Sequence, residues 1–409
     1  MRRIILSLFL GLIAQAATAQ EVTLRHALGG VSLDALATLV VRFNDEQKGK
    51  AKVVLESLDG VADRQQLPDM ALLDDDDARL FFDSHPRYKP LADVMKEGGQ
   101  KFDGAVFLPQ VAGAVDDLRG RMQGLPMAMA LPVLFYNKEA FVKAGLDPER
   151  PPRTWWEVQT AAGALYDAGY ACPLTTSRFA RMHMENLSSQ HGEPVITRGG
   201  HGERFAFNNM VHVKHLALLA SWQKSRYFHY FGPGSEGNAK FLAGECAMLT
   251  GESGLHAELR TAQFPVGVAA LPYYEDVWGA QPANVLPDGA ALWVLPGRKK
   301  KEYEVTARFI GFLLRPQVQR DWVRATGFLP MTSAALNELA AAGVSSAVIE
   351  SARKRLGMPA KADVRMRSGF ARNRVRALLN EEVEFVWQNV KPAKAALDAA
   401  MERANKPGG

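Results

Sequence analysis

Leu131-Pro132-Val133-Leu134-Phe135-Tyr136-Asn137-Lys138, Ala144-Gly145-Leu146-Asp147-Pro148 and Pro151-Pro152-Arg153-Thr154-Trp155-Trp156-Glu157 are the stretches that set the fold class. Leu131 to Tyr136 is a short apolar run of strand-forming residues. Lys138 to Ala144 reads as a helix that Gly145 ends. Thr154 can then accept from the first free N–H groups of a second helix while Glu157 reaches back to the cap residue. That helix runs to about Asp167 and is stopped by Gly169.

Outward from this centre the same alternation continues. Val22 to Arg25, Ala51 to Leu55 and Met70 to Leu73 read as strands, with a helix around Asp34 to Asn44. Ala239 to Leu242 closes a helix before Gly244, and Cys246 to Thr250 is a strand behind it. Ala290 to Leu295 is a strand turned by Pro296-Gly297, with Lys299 to Lys301 on a solvated turn. Glu304 to Leu314 is an amphipathic helix, Pro316 opens another, and Glu381 to Gln388 and Pro392 to Ala404 are helical. Strands alternating with helices predict an α/β chain. No repeat or low-complexity linker divides it.

The 409 residues hold 49 Lys and Arg against 44 Asp and Glu, with 47% hydrophobic and 23% charged residues. That length carries two or three cores and excludes a disordered chain, a collagen-like repeat or a disulfide-stapled miniprotein. The balance of +5 needs no nucleic-acid partner.

Arg2 and Arg3 precede an apolar run from Ile4 to Ile13, then small residues ending Ala17-Thr18-Ala19. This is the pattern of a secretory signal, residues 1–19, cleaved before Gln20. The apolar run is shorter than the ~20 residues a membrane helix needs, and no Cys follows it to take a lipid anchor. A secreted, periplasmic protein is expected. In an oxidising compartment the two cysteines, Cys172 and Cys246, are either bridged or two buried thiols.

Motifs for chemistry fall short. Gly232-Pro233-Gly234-Ser235-Glu236-Gly237 matches a dinucleotide loop in letters, but Pro233 removes a donor and the region is aromatic and irregular, so it reads as a glycine-rich surface loop. Gly251-Glu252-Ser253-Gly254 is one residue short of a nucleophile elbow. His212 and His215 lie one helical turn apart without a partner at ligand spacing, and read as a solvated helix face. The run Asp74 to Asp77 after a strand reads as a helix cap, with Asp74 or Asp75 open to a ligand cleft. No nucleophile, base and oxyanion site assemble, so neither an enzyme nor a cofactor is expected.

The central segment, with Phe241-Leu242-Ala243-Gly244-Glu245-Cys246-Ala247-Met248, Gly289-Ala290-Ala291-Leu292-Trp293-Val294 and Thr326-Gly327-Phe328-Leu329-Pro330-Met331-Thr332, resembles the bacterial extracellular solute-binding proteins of the sugar-binding type. Its glycerol-3-phosphate-binding members share the Cys positions, Met184-Glu185-Asn186, and the tail around Arg376, Glu381, Glu382 and Trp387. The resemblance spans about Val22 to Asn405 and is weakest between Asp59 and Pro68. It implies a two-lobed α/β fold of the periplasmic-binding-protein type. One lobe would take residues 20–131 plus 290–338, the other 132–289 plus 339–409. The chain would cross between them near Ala130 to Val133, Val285 to Gly289 and Leu336 to Gly343. Ligand held in the cleft would favour closure, and the closed monomer would deliver it to an ABC permease pair driven by its ATPase pair.

The implied ligand positions are altered. Gly289 and Arg376 are retained, and the hydroxyl-binding acid falls on Asp75. Two phosphate-side serines align with Ala130 and Glu252, with Ser253 one residue away. The phosphate-side tyrosine is Phe328, and an aromatic wall is Arg178. Lost hydroxyl donors and an added carboxylate weaken a dianion site. Two ligand readings stand: a neutral sugar, polyol or partly cationic ligand on Asp75, Glu252 and Arg376; or glycerol-3-phosphate or a glycerophosphodiester, with Arg178 and Arg181 replacing the lost donors. Tyr273, Tyr274 and Trp278 are aromatics open to sugar stacking or to core packing. From other classes, a secreted enzyme with Asp75 and Glu252 as an acid pair, and a ligand-sensing module for a membrane receptor, are the alternatives.

Overall fold

The computed structural model describes residues 19–58, 68–74, 78, 88–117, 119–199, 202–276, 282–344, 346–356 and 369–406. The secretory signal, Asp75 and Trp278 lie outside the described residues.

β1 (Gln20–His26) buries Val22, Leu24 and His26 on one face, the period-2 pattern of a strand with one face on a core. It leads into α1 (Gly30–Glu46), whose Leu36, Leu39, Val40 and Phe43 form one apolar stripe. With β2 (Ala51–Ser57), β3 (Met70–Leu73), β4 (Leu125–Ala130) and β12 (Asp288–Val294), β1 builds a sheet of order β2-β1-β3-β12-β4. β1 runs parallel to β2 and β3, whereas β12 is antiparallel to β3 and β4.

The second sheet has the order β11-β5-β10-β6-β9. Its strands are β5 (Pro132–Asn137), β6 (Cys172–Thr176), β9 (Phe228–His229), β10 (Cys246–Glu252) and β11 (Val266–Ala270). β7 (Ile196–Gly199) and β8 (Gly202–Phe205) form a separate hairpin. A single residue, Leu131, separates β4 from β5, so the chain passes from one sheet to the other there. It returns between Ala270 and Asp288. The Leu131 N–H donates to Ser253 Oγ at 2.9 Å and its carbonyl accepts the Ser253 N–H at 2.7 Å, fastening the crossing to the end of β10.

Two apolar cores pack against the sheets, and the first reaches from the first sheet to Val133, Phe135 and Leu249 of the second. In the first core, Phe43 meets Phe309 and Phe312 edge to face, and those two rings stack on each other. Trp155, Phe179, Trp222 and Phe228 fill the second. α2 (Trp155–Asp167) carries the expected capping box, with Thr154 Oγ1 accepting from Glu157 N and Glu157 Oε2 accepting from Thr154 N, both at 3.2 Å. After β12 the chain covers the first sheet with α4 (Lys300–Leu313) and α5 (Pro316–Thr326). It then rejoins the second core through α6 (Gly369–Trp387) and α7 (Ala393–Ala404), which bury Val375, Leu379, Val383 and Leu397 there.

Two expectations are corrected. Lys299 to Lys301 do not sit on a turn: Lys299 caps α4 and Lys300 opens it, because Glu302 returns a hydrogen bond to the Lys299 N–H. His212 and His215, on α3 (Met210–Lys224), are fully buried rather than solvated. Inside, His212 Nε2 meets Ser188 Oγ at 2.7 Å, and both ring nitrogens of His215 are engaged, by His183 and Tyr274. Cys172 and Cys246 are in-register neighbours on parallel β6 and β10, bonded with Cα atoms 4.5 Å apart.

Candidate functional site

Where the sheets face each other, strand ends deliver a row of charged side chains. Asp74 follows β3, Arg178 follows β6 by two residues, Glu252 ends β10 and Asp288 opens β12. Arg181 and Glu185 lie on a π-helical turn, Ala180–Glu185, and Arg376 is on α6. Carboxyl ends of strands are where open α/β sheets place ligands.

These side chains form one chain of alternating charge. Asp74 Oδ2 is 3.4 Å from Arg178 Nη2, and Arg178 Nε is 3.5 Å from Glu252 Oε1. Glu252 pairs with Arg181 Nη1, and Arg181 Nε lies 3.4 Å from Asp288 Oδ2. Asp288 Oδ2 also accepts from Arg376 Nη2 at 2.7 Å. Arg376 then grips Glu185 with two parallel bonds, Nε to Oε1 at 2.5 Å and Nη2 to Oε2 at 2.7 Å. Such a fork fixes the guanidinium plane as well as its charge. Three guanidiniums are therefore interleaved with four carboxylates.

The row grades from wet to dry. Arg178 and Asp74 keep 35% and 31% of their side-chain surface exposed, whereas Arg181 keeps 4% and Glu185 5%. Burial pulls the Arg181 guanidinium down to about 10, opposed by the charge of Asp288; it stays protonated at neutral pH. Arg178 has φ +47°, a left-handed conformation unusual outside glycine. Its N–H donates to Gly234 O at 2.6 Å, which helps hold it there. Strain of this kind, ~1–3 kcal/mol, concentrates at functional sites.

The other expected positions divide. Ala130 is buried at the end of β4, opposite Asp288, and its carbonyl accepts from Arg181 Nη2 at 3.3 Å. Gly289 has φ +146°, and a Cβ there would collide with the carbonyl of Ala128. Ser253 is fully buried at the sheet crossing, where its hydroxyl serves Leu131. Phe328 is half-buried, stacked on Trp322 at 5.8 Å and lying against Gly254. Tyr274 is buried and hydrogen-bonded to His215, hence part of the core. Sequence reasoning missed Asp288 and the partnership of Glu185 with Arg376. Nothing in the sequence marked the first, a lone acidic residue before a glycine.

Two five-stranded sheets, joined at Leu131 and between Ala270 and Asp288 and carrying a charged row at their strand ends, define a binding-protein fold of the periplasmic type. The chain belongs to the bacterial extracellular solute-binding protein family, whose sequence model matches residues 42–349. It is 36% identical over 327 residues to the sn-glycerol-3-phosphate-binding periplasmic protein UgpB of Yersinia pseudotuberculosis, covering 78% of this chain and 74% of that one. To the protein of the same name from Pectobacterium atrosepticum it is 38% identical, covering 78% and 73%. Among solved structures, UgpB of Mycobacterium tuberculosis in complex with glycerophosphocholine superimposes with a TM-score of 0.75 at 19% identity, covering 94% of this chain and 98% of that one. Maltose-bound MalE3 of T. maritima gives 0.74 at 18% identity, covering 94% and 99%. These two likenesses carry the fold alone. Among the described residues no helix is long and apolar enough to cross a membrane.

Proposed function

We propose that this protein is the periplasmic substrate-binding component of an ABC importer, exported by a cleaved signal, monomeric and without catalytic activity. It would capture a small polar ligand between its lobes, residues 20–131 plus 290–338 and 132–289 plus 339–409. The closed form would hand the ligand to a permease pair powered by its ATPase pair. Family membership supports capture of a solute.

The ligand class rests on the alternating chain from Asp74 to Glu185. Each guanidinium already faces carboxylates, and among the described residues of the row the acids are in excess by one. A phosphate dianion entering here would compete with Glu252 and Asp288 for the same N–H groups. Hydroxyls, by contrast, can accept from Arg178 and donate to Glu252 or Asp74 without separating the pairs. A neutral sugar or polyol, or a ligand with a cationic part, fits best. The relatives named for sn-glycerol-3-phosphate favour a second reading, in which Arg178, Arg181 and Arg376 turn from their carboxylates to a phosphate.

A thermal-shift screen of sugars, polyols, sn-glycerol-3-phosphate and glycerophosphocholine tests both. A ligand at a hundredfold excess over its Kd adds about 2.7 kcal/mol to the stability. A shift with uncharged or zwitterionic members and none with sn-glycerol-3-phosphate is expected. A shift with sn-glycerol-3-phosphate alone would move the assignment to the second reading, and silence across the panel would count against solute capture itself.

A further inference from the structure

Behind the charged row, inside the second core, lies a polar network that ligand capture does not use. His183 sits on the π-helical turn midway between Arg181 and Glu185, and is fully buried. Its Nε2 is 3.0 Å from Thr176 Oγ1 and 3.0 Å from Thr250 Oγ1, and those hydroxyls are 2.9 Å apart. Its Nδ1 meets His215 Nε2 at 2.9 Å, and His215 Nδ1 meets Tyr274 Oη at 2.8 Å. The Tyr274 N–H in turn donates to His191 Nε2 at 3.2 Å. Phe179 stacks on the His183 ring at 5.0 Å, and Trp155 packs against both imidazoles at 5.3 and 4.8 Å.

The positions of these residues give the network its meaning. Thr176 ends β6, two residues before Arg178, and Thr250 lies two residues before Glu252. One imidazole therefore ties together the three segments that carry Arg178, Glu252, Arg181 and Glu185. A π-turn holds one residue more than an α-turn and is stable only where its surroundings impose it. Here the Asn186 backbone and side chain both donate to the freed Arg181 carbonyl, while Asn186 Oδ1 accepts from Leu286 on the approach to β12. Those bonds hold the far end of the turn, and His183 holds its middle.

We propose that His183, backed by His215 and Tyr274, is a positioning residue of the binding site: a neutral, hydrogen-bonded imidazole pair that fixes the register of the π-turn and so presents Arg181 and Glu185 to Asp288 and Arg376. Bonding through both nitrogens of each ring requires the pair to share protons in order, which a doubly protonated pair cannot do. The groups facing the pair are Thr176, Thr250 and Tyr274, with His191 beyond Tyr274, His212 on the helix of His215, and Arg181 and Glu185 on the turn itself. Burial holds His183 down at about 3 and His215 well below its ordinary value, consistent with a neutral pair.

The test needs no ligand and so stands apart from the reading above. In full-length mature protein labelled with nitrogen-15 arginine, the Arg181 Nε–H resonance, assigned by its loss in Arg181→Lys, reports the geometry at Asp288. His183→Leu is expected to move it into the envelope of exposed arginines while the chain stays folded. His183→Gln, whose amide can still bond the two threonine hydroxyls, should restore it. A folded His183→Leu protein with the resonance unmoved would overturn the proposal. Should that variant not fold, Tyr274→Phe deletes one hydroxyl at the far end. A shift of the Arg181 resonance in the same direction supports the relay, and an unmoved one overturns it.

Discussion

Arg376 shows how much one side chain carries here. Its guanidinium closes the alternating row by holding Glu185 through a fork and Asp288 through a third bond, and both acids are nearly dry. Removing it leaves two buried carboxylates without their main cation, so Arg376→Ala should cost about 3 kcal/mol in urea unfolding and abolish any ligand-induced thermal shift. A variant as stable as the parent would mean that the fork contributes nothing. Gly289 is the complementary case, important for an atom it lacks. At φ +146°, with Ala128 O where a Cβ would stand, a methyl has no room. Gly289→Ala should lower stability by about 2 kcal/mol, with the loss in melting temperature checked by calorimetry. Arg376 and Gly289 could be singled out in the chain itself only through the family resemblance of the motifs around them. Asp288 could not, since nothing in a lone acidic residue before a glycine says that two guanidiniums converge on it.

Elements were legible where local chemistry is self-sufficient. The Thr154–Glu157 capping box lies within four residues, and it forms as its spacing predicts. The buried stripe of α1 and the apolar runs of β3 and β5 were readable for the same reason. The helix carrying His212 and His215 was misread because its polar residues pair with Ser188, His183 and Tyr274, and so are buried without water. Periodicity reports only which residues avoid solvent through apolarity, and buried polar partners are invisible to it. The link between β6 and β10 belongs to this scale as well. Cys172 and Cys246 close a loop with a sequence separation of 74, for which the chain-entropy model gives a stabilisation of ~4 kcal/mol. Reduction by dithiothreitol, or Cys172→Ser with Cys246→Ser, should lower the urea midpoint and steepen the slope, because the unbridged unfolded chain exposes more surface. An unaltered midpoint would show that the bond adds no net stability.

At the scale of the whole molecule, buried histidines of the second core shape the response to acid. The second contains His183 and His212, held by burial at about 3 and about 4, and His215, held well below its ordinary value. In the unfolded chain these imidazoles take up protons near pH ~6.5, whereas in the folded chain they stay neutral to much lower pH. Below pH ~6.5 the unfolded state binds more protons, so stability falls as pH falls. The slope approaches about 1.4 kcal/mol per pH unit for each histidine. Urea unfolding should show a loss of about 3 kcal/mol or more between pH ~6.5 and ~5, and a flat profile there would contradict burial of the three rings as neutral groups. The sequence by itself determined the α/β class, the capped helices and the family, because these rest on neighbours a few residues apart and on motifs read in order. Only the tertiary structure decided which charges meet. Asp74, Arg178, Glu252, Arg181, Asp288, Arg376 and Glu185 come from separate segments, and their pairing depends on distances of a few ångströms set by how two sheets are joined at Leu131 and before Asp288. Coulomb attraction and desolvation vary steeply over such distances, and separation along the chain carries almost no information about them.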